Sequence, residues 1–163
     1  MPISEVYNID CLEYMKTIPD KFFDLCIADP PYGINNGKWE SGHLKKYGQL
    51  KTVNGYIPSH DIIDEIKRVS KNVIIWGYNH LASKIGDSSH FIFWYKHNPL
   101  PSFADGELAY TSFEGPARCF DYRYYSNLNA DKNRVHPTQK PIALYNWILD
   151  NYAIGGVKSL IHS

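Results

Sequence analysis

The sequence predicts an α/β domain with a largely parallel sheet, flanking helices and an antiparallel strand pair at one end. Two observations carry this expectation. Short apolar runs too compact for helices alternate with segments whose apolar residues recur every three or four positions. Several of the runs are apolar at consecutive positions, as in strands covered on both faces. With 163 residues, 44% of them hydrophobic, the chain suits one domain spanning 1–163.

Val6 to Ile9 reads as a short strand ending at Asp10, and Leu12, Tyr14, Met15 and Ile18 as a weakly amphipathic helix stopped by Pro19. Phe22 to Ala28 is a buried parallel strand punctuated by Pro30 and Pro31. Residues 33–58 carry glycines and few periodic apolar positions, which predicts a mobile loop facing a ligand. Ile62, Ile63, Ile66 and Val69 then repeat at helical spacing behind Ser59 or Asp61 as cap, followed by a buried strand at Val73–Trp76. His80 to Ile85 makes a short helix closed by Gly86, and Phe91 to Tyr95 an aromatic strand. Glu107 to Ser112 and Ala117 to Tyr125 lie close together across Gly115-Pro116 and predict the antiparallel pair. Ile142, Tyr145, Leu149 and Tyr152 stripe a last helix opened by Thr138 and Pro141.

Seventeen lysines and arginines balance seventeen aspartates and glutamates, so no global positive field marks a nucleic-acid binder. The basic excess is regional: between Gly37 and Gly55, Lys38, Lys45, Lys46 and Lys51 face only Glu40. Cys11, Cys26 and Cys119 are widely spaced among apolar neighbours and read as reduced core thiols. His43, His60, His80, His90, His97 and His162 show no metal-ligand pairing, so no metal is expected. No apolar run is long enough for a membrane and Met1–Asp10 lacks an export signal, which predicts a cytoplasmic protein.

Asp29-Pro30-Pro31-Tyr32 is the decisive segment, because it falls at the carboxyl end of a predicted buried strand, where open α/β sheets place their ligand crevice. The exocyclic amine of a nucleobase is a poor nucleophile, its lone pair being delocalised into the ring. A carboxylate and a rigid carbonyl accepting its two hydrogens would free that pair. Asp29 can supply the carboxylate and Pro30 the carbonyl, while Tyr32 offers a stacking face for a base flipped out of the duplex. The plain structural alternative is two prolines ending a strand and a core tyrosine.

Three segments together resemble the DNA amino-methyltransferases of the permuted type, in which the catalytic motif precedes the cofactor-binding glycine turn: Asn8-Ile9-Asp10-Cys11-Leu12, Asp24 to Ile34 through Asp29-Pro30-Pro31-Tyr32, and His136-Pro137-Thr138-Gln139-Lys140-Pro141. The resemblance spans Val6 to about Tyr152. It implies a Rossmann-like methyltransferase fold, S-adenosylmethionine as cofactor and an amino group of DNA as target, adenine N6 before cytosine N4 because Asp opens the motif. It makes Asp29, Pro30, Pro31 and Tyr32 catalytic. It also implies that Asp10 and the backbone of Cys11 meet the cofactor's adenine, although Asp10 reads equally well as a helix cap. Thr138, Gln139 and Lys140 at a helix start, together with Asp29, would hold the methionine end, or simply cap the helix.

For DNA the candidates are Lys38, Lys45 and Lys46 in the loop and Arg118, Arg123, Lys132 and Arg134 among aromatics, each equally readable as a solvated face. One departure stands out. The family's helix leads into a strand and glycine turn, whereas residues 153–163 read as an atypical tail in which Gly155-Gly156 precedes an apolar run. The resemblance therefore implies a truncated chain with an incomplete fold and cofactor site. The leading expectation stays a methyltransferase by descent, with a second copy or a completing chain able to rebuild the sheet; the alternative is a silent truncated remnant that retains nucleic-acid or partner binding.

Overall fold

The computed structural model describes residues 5–31, 58–98, 104–123, 139–153, 155 and 157–162. Its helices are α1 (Cys11–Lys16), α2 (His60–Val69), α3 (Tyr78–Ile85) and α4 (Ile142–Tyr152). Its strands are β1 (Phe23–Ala28), β2 (Ser70–Trp76), β3 (Phe91–Tyr95), β4 (Gly106–Thr111), β5 (Arg118–Asp121) and β6 (Ser159–His162). They form one sheet in the order β5-β3-β4-β2-β1-β6. β1 runs parallel to β2 and β6, β3 runs parallel to β5, and β4 is antiparallel to both β2 and β3. All strands but β4 therefore point the same way, so one edge of the sheet collects their carboxyl ends and the start of β4.

Period-two alternation sorts the strand residues between two cores. Cys26, Ala28, Val73 and Ile75 pack with α1, α2 and α3 through Met15, Ile63, Ile66, Val69 and Leu81. Leu25, Ile27, Ile74, Trp76, Ile92 and Trp94 pack on the other face with Leu144 and Ile148 of α4. The α/β class with helices on both faces of a largely parallel sheet thus stands, because the continuous apolar runs do form doubly covered strands.

Five details depart from the sequence-based expectation. Glu107–Ser112 and Ala117–Tyr125 do not pair with one another; β3 lies between β4 and β5. The link between them crosses the amino end of β3, where the His90 ring bonds the Phe113 carbonyl at 3.1 Å. Val6 to Ile9 is irregular rather than a strand, with Val6 95% exposed, because no described strand offers it a ladder. The 153–163 stretch is not merely a tail: Ser159–His162 becomes β6, in register from Leu25↔Ser159 to Ala28↔His162. α4 buries Leu144 and Ile148 and leaves Ile142 exposed, so its core face is rotated from the predicted stripe. Cys26 is a buried thiol that burial pushes up to about 12, whereas Cys119 is exposed instead of lying in the core.

Candidate active site

Asp29 follows the last residue of β1. Continuing the alternation of Leu25 and Ile27, its side chain falls on the α4 face of the carboxyl edge. Its Oδ2 meets the Lys140 Nζ at 2.5 Å, joining residues 111 positions apart. Lys140 precedes α4 and its side chain is only 4% exposed. Taking an ammonium this far out of water is costly unless carboxylates surround it. Two do: Lys140 Nζ also stands 3.3 Å from Glu107 Oε2, an ionic contact rather than an aligned hydrogen bond. The ammonium lies 5.2 Å from the ring centre of Trp76 as well, a cation–π distance.

Glu107 begins the antiparallel strand, which is why its side chain reaches the edge where the other strands end. Its second oxygen pairs with Lys96, just past β3, and the Lys96 ammonium sits 4.5 Å over the Trp94 ring. Gly106 makes this approach possible, since a Cβ there would stand 2.2 Å from the Trp94 carbonyl oxygen and 2.5 Å from the Phe93 ring. The outcome is a chain of alternating charge, Asp29, Lys140, Glu107, Lys96, drawn from four places in the sequence. Burial pushes the Glu107 carboxyl up, but Lys140 and Lys96 outweigh it and hold the group below the ordinary glutamate value of 4.5. Tyr145, on the first turn of α4, faces the same charges. Burial, reinforced by Asp29 and Glu107, pushes its phenol up to about 12.

The comparisons bear on this arrangement. No family model matches the chain. It is 26% identical to the type II methyltransferase M2.MboI of Moraxella bovis, over 88% of this chain and 69% of the relative. It is 24% identical to the type II methyltransferase M.HinfI of Haemophilus influenzae, over 87% of this chain but only 54% of that protein. The similarity to these two type II methyltransferases runs over most of the chain. A solved structure titled as the M1.HpyAVI-SAM complex overlaps 84% of this chain and 68% of its own chain, at 20% identity and a TM-score of 0.47.

Within the structure the sequence-predicted residues separate. Asp29, Pro30, Pro31, Gln139 and Lys140 gather at the carboxyl edge, with Pro30 buried and Gln139 half-buried. Asp10 caps α1, its carboxylate accepting from the Glu13 N–H at 3.0 Å, and Cys11 packs partly buried against the α1–α3 core. Arg123 is exposed two residues past β5, on the carboxyl edge. Arg118, also exposed, begins β5 and so lies at the opposite edge, near the end of α4 marked by Tyr152. An 11-residue helix spans roughly 16 Å, which separates that end from Lys140. Tyr32, Lys38, Lys45, Lys46, Lys51, Lys132, Arg134 and Thr138, with the 33–57 part of the expected loop, fall outside the described residues. Glu107, Lys96 and Tyr145 were missed as site residues. The signal available was an isolated charge abutting an apolar strand, at Lys96 after Phe91–Tyr95 and Glu107 before Leu108. Among the described residues no group of three or more His, Cys, Asp or Glu could hold a metal, and no helix is long and apolar enough to cross a membrane.

Proposed function

We propose that this chain carries the catalytic half-site for S-adenosylmethionine-dependent methylation of an exocyclic amino group in DNA, with adenine N6 as the target. The observation that carries the reading is the Asp29–Lys140 contact, which brings the two motif segments that resemble the family onto one edge of one sheet. The chemistry of the donors suits the cofactor's methionine end, which bears one ammonium and one carboxylate. Asp29 can accept from the former, and Gln139 can donate to the latter. Among the described residues the buried Trp76 indole N–H has no hydrogen-bond partner, and its ring lies 5.2 Å from the Lys140 ammonium.

When bound, S-adenosylmethionine supplies an electrophilic methyl on its sulfonium. Asp29 accepts one hydrogen of the base amine and the Pro30 carbonyl the other, which localises the nitrogen lone pair. The wall of buried Trp76 and Trp94 and half-buried Tyr145 limits water around these groups and so strengthens their electrostatics. Asp29→Ala tests the assignment: methyl transfer from tritiated S-adenosylmethionine to unmethylated DNA is expected to fall at least about a hundredfold in a protein that still folds. Near-normal turnover by folded Asp29→Ala would refute the role. Chromatography of the digested product decides the base, N4-methylcytosine overturning the adenine reading.

A further inference from the structure

The family resemblance offers a role for Asp29 and Lys140 but none for the charges beyond them. A lysine in contact with a carboxylate that must accept from a substrate amine is a hazard, since a fully formed ion pair would occupy the acceptor it is meant to support. The geometry contains a counterweight. Lys140 is not Asp29's alone: its ammonium stands 2.5 Å from Asp29 and 3.3 Å from Glu107, with its side chain only 4% exposed. Glu107 in turn is fixed by Lys96, whose ammonium is seated on Trp94, and its backbone is brought in by the close approach that Gly106 allows. β3, β4 and the segment before α4 thus meet to hold a carboxylate that has no part of its own in the proposed reaction.

We propose that Glu107 is a positioning residue for Asp29, sharing the Lys140 ammonium so that Asp29 is oriented by it without being wholly neutralised. The proposal rests on the reading of Asp29 as the carboxylate that meets the amine. Glu107 acts only through Lys140, and Lys96 acts only through Glu107. Loss of the Glu107 charge lets the ammonium settle entirely on Asp29, withdrawing acceptor strength from the crevice. Loss of Lys96 frees Glu107 to compete harder for Lys140, so the disturbance at Asp29 is smaller.

The test is carbon-13 NMR of the full chain labelled at aspartate Cγ, with the Asp29 signal assigned through Asp29→Asn. Glu107→Gln is expected to move the Asp29 signal while the remaining aspartate signals keep their native positions, and Glu107→Asp to return it most of the way. Lys96→Met, which spares the buried Lys140 contact and serves if Glu107→Gln fails to fold, is expected to move it less. An Asp29 signal that coincides with wild type in either folded variant overturns the proposal. Turnover supplies the second readout: Glu107→Gln is expected to lower kcat at least about tenfold with KM for DNA little changed. A rise in KM at constant kcat would assign Glu107 to binding instead. If the unmodified chain transfers no methyl group, the methyltransferase reading of the isolated chain fails, and the NMR result still decides whether Glu107 governs Asp29.

Discussion

At the amino ends of β1 and β2, Lys21 donates to the carbonyls of Lys67 and Ser70 at 2.7 and 3.0 Å, and Arg68 donates to those of Ile18 and Met15 at 2.9 and 2.8 Å. Arg68 also pairs with Asp20 and Glu65, and Lys71 with Asp24, on cations 30% and 58% exposed. At the carboxyl ends Lys140, only 4% exposed, lies between Asp29 and Glu107, and Lys96 pairs with Glu107. The first group serves as helix and turn caps, satisfying carbonyls that the ends of α1 and α2 leave open. Local geometry could be met there by water or another donor. The second group has no such substitute, because one nearly buried ammonium answers to two strands and a helix. The same residue types thus stand in water at one edge and, in Lys140, nearly out of it at the other, and the difference lies in burial and in one cation shared by two carboxylates.

The largest effect that would break this contrast is at its centre. Lys140→Met removes the cation between Asp29 and Glu107, leaving Glu107 only its pairing with Lys96, and is expected to destabilise the fold by on the order of 3 kcal/mol, the low end for a broken buried pair because Glu107 keeps Lys96 and both carboxylates keep some water. Urea denaturation measures it; a loss under 1 kcal/mol, roughly that of an exposed pair, would erase the distinction between the two edges. Gly106→Ala is expected to cost about 1–3 kcal/mol by forcing β4 off the Trp94 carbonyl, and to disturb Glu107 with it. Thermal melts and the Asp29 NMR signal would report both parts.

Acid sharpens the comparison further. Since the folded Glu107 carboxyl is held below 4.5, its contribution to stability is present above that pH and is lost as pH falls through the lower folded value. Glu107→Gln should therefore flatten the acid limb of stability below pH 4.5. Asp24, held low by Lys71, and Glu65, held low by Arg68, titrate in the same window but persist in both proteins, so the difference isolates Glu107. An unchanged limb would mean that the paired charges do not hold it low. The smallest effect is expected at the other edge: Arg68→Ala should lower the melting midpoint by a few degrees yet leave methyl transfer at the wild-type rate, and a loss of turnover in the folded variant would contradict its purely structural assignment.

Much of this was legible along the chain because it depends on local pattern. The continuous apolar runs of β1 and β2, the helical stripe of α2 and the aromatic run of β3 each announce burial through period alone, and all form where expected. Asp29 at the end of β1 was legible for the same reason: a proline pair stops the strand at the edge where ligands bind. Strand neighbours were not. Val6–Ile9 has a strand's composition but finds no ladder, and Ser159–His162 finds one beside β1 despite its weak local signal.

By itself, then, the sequence determined the α/β class and the motif-bearing strand end, while only the family resemblance joined that carboxylate with a distant lysine-containing segment as candidates for one chemistry. Tertiary structure alone decided that β4 runs backwards between β2 and β3, and so delivers the first residues of one strand to the edge where the others finish. That reversal is what turns Glu107, unremarked in sequence, into the partner of Lys140. Strand direction is set by which neighbours offer open hydrogen bonds and matching apolar faces, and those neighbours lie tens of residues away, beyond the reach of any local periodicity.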